Sequence, residues 1–524
     1  MTDQSSDSSS DVGRISRRKY LAITAVGTVG FAGCAGGGGG GDGNDSGGGS
    51  GDGGGGDTQS GTTAGGDTQS GTTFGDSQSG TSSGGDGGGG GEGAIPFASF
   101  CPLSGAGGAF GPGQQAGFNL ALEDMNSAGG VLGGRQFNPI NRNTETKPSR
   151  AASKLQTVIS NENIEAFVGT WSSGVSSTLA PIAADNEIMQ MGNGTTSPTL
   201  AEQGWVETDD GLLKYMGRTS PNDGAQGLAM GGLLNDTIGA DSAAFMHVDN
   251  PYGSGLAQKA KAAFNGETTA IVPVAKQTSN YSSALDEVFA DDPDVFGLIV
   301  YPANGESILK QWNRGGYGGT LVMSESMFLQ DLFDNLSDIL MDSYITTVRP
   351  DRNDESYSYF TSALKERMDQ EPTTFSSHSY DAAILTGLAA HKAGEFTGTA
   401  IARNIKSVSR PPGEKVPAGS EGFKRAIGLL DEGTEINYAG ASSKANLNCF
   451  VEPYNRFASN QLVEGEGGIE TEELSTIPAS FFEGKLYTDE QLQKYSCEVS
   501  ASGGTANGTA SGNGTASGNG TTSY

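Results

Sequence analysis

Residues 243–248 read Ala-Ala-Phe-Met-His-Val, residues 249–254 Asp-Asn-Pro-Tyr-Gly-Ser, and residues 255–264 Gly-Leu-Ala-Gln-Lys-Ala-Lys-Ala-Ala-Phe. The first run is strand-like and the last is amphipathic at helical spacing, so a buried strand is followed closely by a helix that covers it. The order recurs along the chain. Residues 95–100 precede a helical 113–127, 165–169 precede 176–185, 295–301 precede 305–314, and a further strand-like run spans 320–323. Strands alternating with helices at this spacing predict an α/β fold with parallel sheets covered on both faces. Such sheets gather loops and helix N-termini at the carboxyl ends of their strands, so ligand-binding residues are expected just after each strand.

Outside this alternating region the chain changes character. Of 524 residues 84 are glycine, and they crowd the segment 35–93, which is Gly, Ser, Thr and Asp with near-repeats at 57–63, 67–73 and 76–82. A segment this poor in apolar residues has no core to form and reads as a disordered linker. As a flexible coil of about sixty residues it would span roughly 45 Å, enough to hold a globule away from a membrane. At the other end, 498–524 repeats Asn-Gly-Thr, with sequons at Asn507, Asn513 and Asn519 that read as N-glycosylation acceptors or as a plain solubilising tail.

Ahead of the linker, residues 1–34 resemble a twin-arginine lipoprotein signal. Arg17 and Arg18 precede a short apolar run, and Phe31-Ala32-Gly33-Cys34 resembles a lipobox. The apolar run is shorter than the roughly twenty residues a membrane-spanning helix needs, so cleavage and lipidation at Cys34 are expected instead. That places the mature protein on the outer face of the cell membrane, held by its lipid. Three cysteines remain, Cys101, Cys449 and Cys497, and the sequence leaves their pairing open.

The 61 acidic against 31 basic residues, a formal charge of −30, exclude nucleic acid as a partner and match adaptation to a halophilic, high-salt medium. No CxxC or HxxxH spacing occurs, and the histidines are His247, His378 and His391, so no metal and no cofactor are expected. Nor does the folded region hold a Gly-x-Ser-x-Gly elbow, and an enzyme is not expected.

Several segments taken in order carry a resemblance. They are Pro102-Leu103-Ser104-Gly105, Phe110-Gly111, Asn126-Ser127-Ala128-Gly129-Gly130-Val131, Gly169-Thr170-Trp171-Ser172-Ser173, Gly194-Thr195-Thr196-Ser197-Pro198, Arg218-Thr219, Tyr252-Gly253 and Ile308-Leu309-Lys310-Gln311. Together they resemble the leucine/isoleucine/valine-binding-protein-like receptors. The resemblance implies a type I periplasmic binding fold: two Rossmann-like lobes, three crossovers, and a small polar solute captured between them. It implies an N-terminal lobe from 94–218 and 350–435, a C-terminal lobe from 219–349 and 436–460, and an extension, 461–497, with no counterpart.

Carried over residue by residue, the resemblance implies ligand contacts at Phe110, Ser173, Gly194, Thr196, Tyr252, Tyr301 and Glu325. Ser173 and Thr196 would hold an α-carboxylate, Gly194 would offer its carbonyl to the amine, and Glu325 with Tyr301 would hold the ammonium. A hydroxyl before a helix N-terminus suits a carboxylate, and a carboxylate beside an aromatic face suits an amine. From spacing alone Ser173 and Thr196 read as ordinary N-caps, and Trp171 as either pocket floor or core. Arg218, Thr219 and Arg349 fall where the family crosses between lobes. The implied function is the substrate-binding subunit of an ABC importer, acting as a monomer on a branched-chain or other amino acid and partnering permease subunits. An amide or urea receptor of the same fold, or a sensory module for a membrane partner, are the alternatives.

Overall fold

The computed structural model describes residues 93–276, 278–349 and 354–497. The signal with Cys34, the linker to residue 92 and the sequons at Asn507, Asn513 and Asn519 lie outside the described residues. The first lobe opens with β1 (Ile95–Cys101), β2 (Phe137–Asn143), β3 (Ala166–Gly169) and β4 (Met189–Gly192). A small hairpin, β5 (Trp205–Thr208) with β6 (Gly211–Lys214), precedes β7 (Met216–Arg218). The sheet runs β2-β1-β3-β4-β7, all parallel.

Alternate residues of a strand face opposite sides, and β1 and β3 use both. Phe97 and Val168 pack with Phe118, Leu122 and Leu388 on one face. Phe100 and Phe167 pack with Leu155, Val158 and Leu179 on the other, the two rings edge to face at 5.1 Å. Both faces are therefore apolar and helix-covered, which is why these strands read as continuous apolar runs.

The second lobe holds β8 (Ser242–Val248), β9 (Glu267–Val274), β10 (Val295–Ile299), β11 (Thr320–Met323) and β12 (Tyr344–Arg349), parallel in the order β9-β8-β10-β11-β12. The helix expected over 255–264 begins earlier, as Pro251–Ala263. Asn250 caps it by accepting from Gly253 N at 2.9 Å, and Pro251 fills the first turn where no N–H is needed.

Three crossings join the lobes, as the resemblance implied, before the extension makes a fourth passage back to the first lobe. The first follows β7, the second follows β12, and the third lies between Val451 in the first-lobe core and β15 (Arg456–Gly465) in the second sheet. Before β15 the chain makes β13 (Glu414–Pro417) and β14 (Ile436–Ala439), a separate parallel pair. This corrects the expected boundary: Ile436, Tyr438, Leu447 and Val451 pack with Phe118 and Leu388, so 436–451 belongs to the first lobe. The break expected at 460 also falls inside a strand, because β15 continues to Gly465 and pairs with β12 on one side and β16 (Gly468–Ile477) on the other. Glu470, Glu472 and Glu473 line β16, the outer strand, and their charge discourages edge-to-edge association.

The extension then returns past the crossings. Phe482 packs on Phe457 of β15, Tyr487 stacks on Phe450 at 4.1 Å, and Tyr495 stacks on Trp205 of the first lobe at 4.7 Å. A disulfide joins Cys449 to Cys497, and Cys101 is a buried free thiol. Among the described residues no helix is long and apolar enough to cross a membrane.

Candidate functional site

Each sheet has a point where its strand order reverses, between β1 and β3 in the first and between β8 and β10 in the second. Loops leaving such neighbours diverge to opposite faces and open a crevice. The chain after β1 and β3 carries Phe110, Trp171, Ser172 and Ser173; after β8 and β10 it carries Asn250, Tyr252 and Tyr301. The two crevices face each other, and their aromatic rings form one row across the lobes. Phe110 stacks on Trp171 at 5.1 Å, Trp171 meets Tyr301 at 4.6 Å, and Tyr301 lies parallel to Tyr252 at 5.8 Å.

Polar contacts accompany the row. Ser172 Oγ and Tyr301 Oη share a hydrogen bond at 3.1 Å, and Asn250 Nδ2 donates to the same phenol at 2.7 Å. Ser197 Oγ donates to the Pro251 carbonyl at 2.8 Å. Gly194 lies where a Cβ would stand 2.7 Å from Trp171 Cδ1 and 3.1 Å from Phe375 Cδ2, so only glycine lets these rings close over the backbone.

Ser173 and Thr196 are brought together, but neither caps a helix. Ser173 is the first residue of the helix Ser173–Asp185, and its Oγ accepts from the N–H groups of Thr196 and Ser197 at 3.2 and 3.1 Å. Thr196 precedes only a short 3-10 turn, Pro198–Glu202, and donates to Asp223 Oδ2 at 2.9 Å. Tyr252 Oη donates to Ser324 Oγ at 2.8 Å and lies 2.8 Å from Ser326 Oγ, holding the turn that presents Glu325.

Two buried acids stand behind this arrangement with no cation bonded to them. Glu325 Oε2 has no hydrogen-bond partner, and burial pushes its carboxyl up to about 7. Asp223 Oδ1 is likewise unpartnered, and burial followed by the charge of Glu325 holds its carboxyl well above the usual range. The one nearby guanidinium, Arg218, is committed elsewhere. Fully buried at the first crossing, it pairs with Glu452 at the third, donating through Nε at 2.6 Å, while Nη1 donates to the carbonyls of Thr195 and Ser197 at 3.2 and 2.9 Å. An unneutralised buried carboxyl either keeps a proton or awaits a cation.

A cleft of about 860 Å³ opens beside these groups, lined from both lobes by residues including Ala106, Phe328, Val348, Phe375, His378 and Glu325. Of the seven ligand residues read from sequence, Glu325 reaches this open space; Phe110, Ser173, Gly194, Thr196, Tyr252 and Tyr301 form the packed wall behind it. At the crossings, Thr219 Oγ1 donates to the His378 carbonyl at 2.7 Å, and Arg349, which ends β12, donates to Asn460 Oδ1 at 2.5 Å. Sequence reasoning missed Asp223, whose signal was an acid in the first turn of the helix directly after Arg218-Thr219. Trp171 is buried between Phe110 and Tyr301 at the lobe interface and is not among the residues lining the cleft. Among the described residues no cluster of His, Cys, Asp and Glu could hold a metal.

Known proteins share this architecture. The model for the family described as periplasmic binding protein matches residues 94–428. The chain belongs to that family. A chemotactic signal transduction system substrate-binding protein, BasB of Halobacterium salinarum, is 31% identical over 72% of this chain and 89% of its own length. A Leu/Ile/Val-binding protein homolog of Brucella abortus is 23% identical over 63% of this periplasmic binding protein and 83% of itself. Among solved structures, a leucine binding protein of Thermotoga maritima superposes with a TM-score of 0.61 at 20% identity, covering 74% of this chain and all of that one. The isoleucine complex of a branched-chain amino-acid transporter substrate binding protein from Streptococcus pneumoniae gives 0.58 at 17%, over 73% and 99%. This chain is thus a solute-binding protein of the leucine/isoleucine/valine-binding type, and the relatives are binding proteins rather than enzymes.

Proposed function

We propose that this periplasmic binding protein captures a small amine-bearing solute, a branched-chain or other amino acid, between its lobes and presents it to a membrane partner. The observation that carries the reading is the buried, cation-free pair Asp223 and Glu325 beside an aromatic row built from both lobes. An ammonium group supplies the missing charge. For Ser173 and Thr196 to hold the carboxylate end, the Thr196 hydroxyl would exchange Asp223, and the N–H groups of Thr196 and Ser197 would exchange Ser173 Oγ, for the solute. A solute that touches both lobes stabilises the closed form by its differential affinity, and Arg218, Thr219 and Arg349 form the hinge about which closure occurs.

In this reading Cys34 carries the lipid that keeps the protein on the outer face of the membrane, and the acidic surface suits molar salt. Delivery to an ABC permease is one destination. Signalling is the second reading, favoured by the chemotaxis role in the name of the 31% identical relative. An amide or urea ligand is the alternative chemistry.

Calorimetric titration in molar salt with amino acids, amides and urea tests the site. Glu325→Ala and Tyr301→Ala should each weaken an amino-acid ligand by at least about tenfold. Unchanged affinity in both variants refutes the pocket assignment. Comparing a deletion strain for loss of labelled-solute uptake and for loss of swimming response separates import from sensing.

A further inference from the structure

We propose that His378 reads the far end of the solute, and that this end is an uncharged hydrogen-bonding group, an amide or a hydroxyl, rather than an aliphatic side chain. The proposal rests on the reading of the cleft as an amino-acid site.

His378 is 2% exposed, lines the cleft, and has no hydrogen-bond partner at either ring nitrogen. Buried polar atoms are nearly always paired, so two unpaired ones on the wall of a binding cleft point to a ligand. Its position is built. The ring stands edge to face with Phe375 at 5.1 Å, and the His378 carbonyl accepts from Thr219 at the first crossing. Phe375 itself sits in the left-handed region, φ 71°, ahead of the helix Ser376–Ala393. A bulky side chain there is strained, and such strain persists where surrounding structure requires it, often beside ligands. Ser377, also buried, lines the same stretch of wall.

The chemistry of the end group follows from the state of the ring. Burial pushes the imidazole down to about 3, so at neutral pH it carries one N–H donor and one bare acceptor. An amide or hydroxyl matches both. A carboxylate end would satisfy the donor alone and would face Glu325, Glu306 and Glu371 on the same cleft. An aliphatic end would leave both nitrogens dry, and sites built to hydrogen-bond a group discriminate strongly against analogues that lack it.

Near-isosteric ligand pairs test this directly. Full-length protein is titrated in molar salt with L-asparagine against L-leucine and L-threonine against L-valine. The polar member should bind at least about tenfold more tightly in at least one pair. His378→Leu should shrink that ratio by about tenfold without lowering the thermal midpoint, since it removes unpaired buried polar atoms, whereas His378→Gln should retain the preference. Equal or tighter binding of the apolar member in both pairs overturns the proposal and leaves the amino-acid reading standing, as does a ratio unchanged in His378→Leu. Failure of all four to bind overturns the amino-acid reading and this proposal with it.

Discussion

Replacing Glu452 by glutamine should unsettle the molecule more than any exchange of an exposed charge. Glu452 sits at the third crossing, 1% exposed, and receives Arg218 Nε at 2.6 Å, Arg218 Nη2, Asn222 Nδ2 at 2.7 Å and the Tyr487 hydroxyl. The glutamine keeps the shape but removes the charge, leaving Arg218 as a buried guanidinium without its counterion. Breaking one side of such a pair costs about 3–5 kcal/mol. Because Arg218 retains the carbonyls of Thr195 and Ser197, the lower end of that range, about 3 kcal/mol, is expected. Urea unfolding followed by fluorescence reads it as a shift in midpoint at constant slope. Arg403→Ala is the internal control, since its ion pair with Asp210 is half exposed on one side and largely exposed on the other and should contribute under about 1 kcal/mol. A loss below about 1 kcal/mol in Glu452→Gln would refute the view that the first and third crossings are clamped by charge.

Four further outcomes are expected. Glu325 must ionise to hold an ammonium, so affinity for an amine ligand should rise as pH increases through about 7, with proton uptake by the buffer in calorimetry, and Glu325→Gln should flatten the profile. In the ligand-free protein the same raised carboxyl keeps its proton after the unfolded chain has lost it at 4.5, so its contribution to stability falls between 4.5 and about 7. Gly194→Ala should weaken binding by at least about tenfold, because its Cβ would displace Trp171 and Phe375; circular dichroism in the near ultraviolet should register the moved rings. Removing the disulfide by Cys449→Ser reopens a separation of 48 residues and should cost about 4 kcal/mol on the loop-closure model, measurable as a lower urea midpoint.

Much of this molecule is legible in its sequence, for a physical reason. Parallel strands buried on both faces are mostly apolar, so β8 and β10 stand out as apolar runs, with Ser242 and His247 the polar residues of β8, and their helices announce themselves by Pro251 and Pro302 in the first turn. Tyr301, Tyr252 and Glu325 fall shortly after such strands, and the resemblance rather than position alone singles them out. Asp223 is not, because it follows a crossing rather than a strand of its own lobe, and its partnership with Thr196 depends on a contact between separate elements. Residues 436–451 misled for a related reason. Their small strand pairs locally with β13, and nothing in four residues tells which lobe the pair will rest on. The extension was opaque because its aromatic residues act only through partners such as Trp205 and Phe450, far away in the chain.

Both ends of the described chain belong to one lobe. Strand β1 enters the first sheet directly, and the disulfide brings residue 497 back to Cys449, whose neighbours Phe450, Ala201 and Trp205 pack beside that lobe. Whatever grips this protein by either flank therefore grips the same half of it.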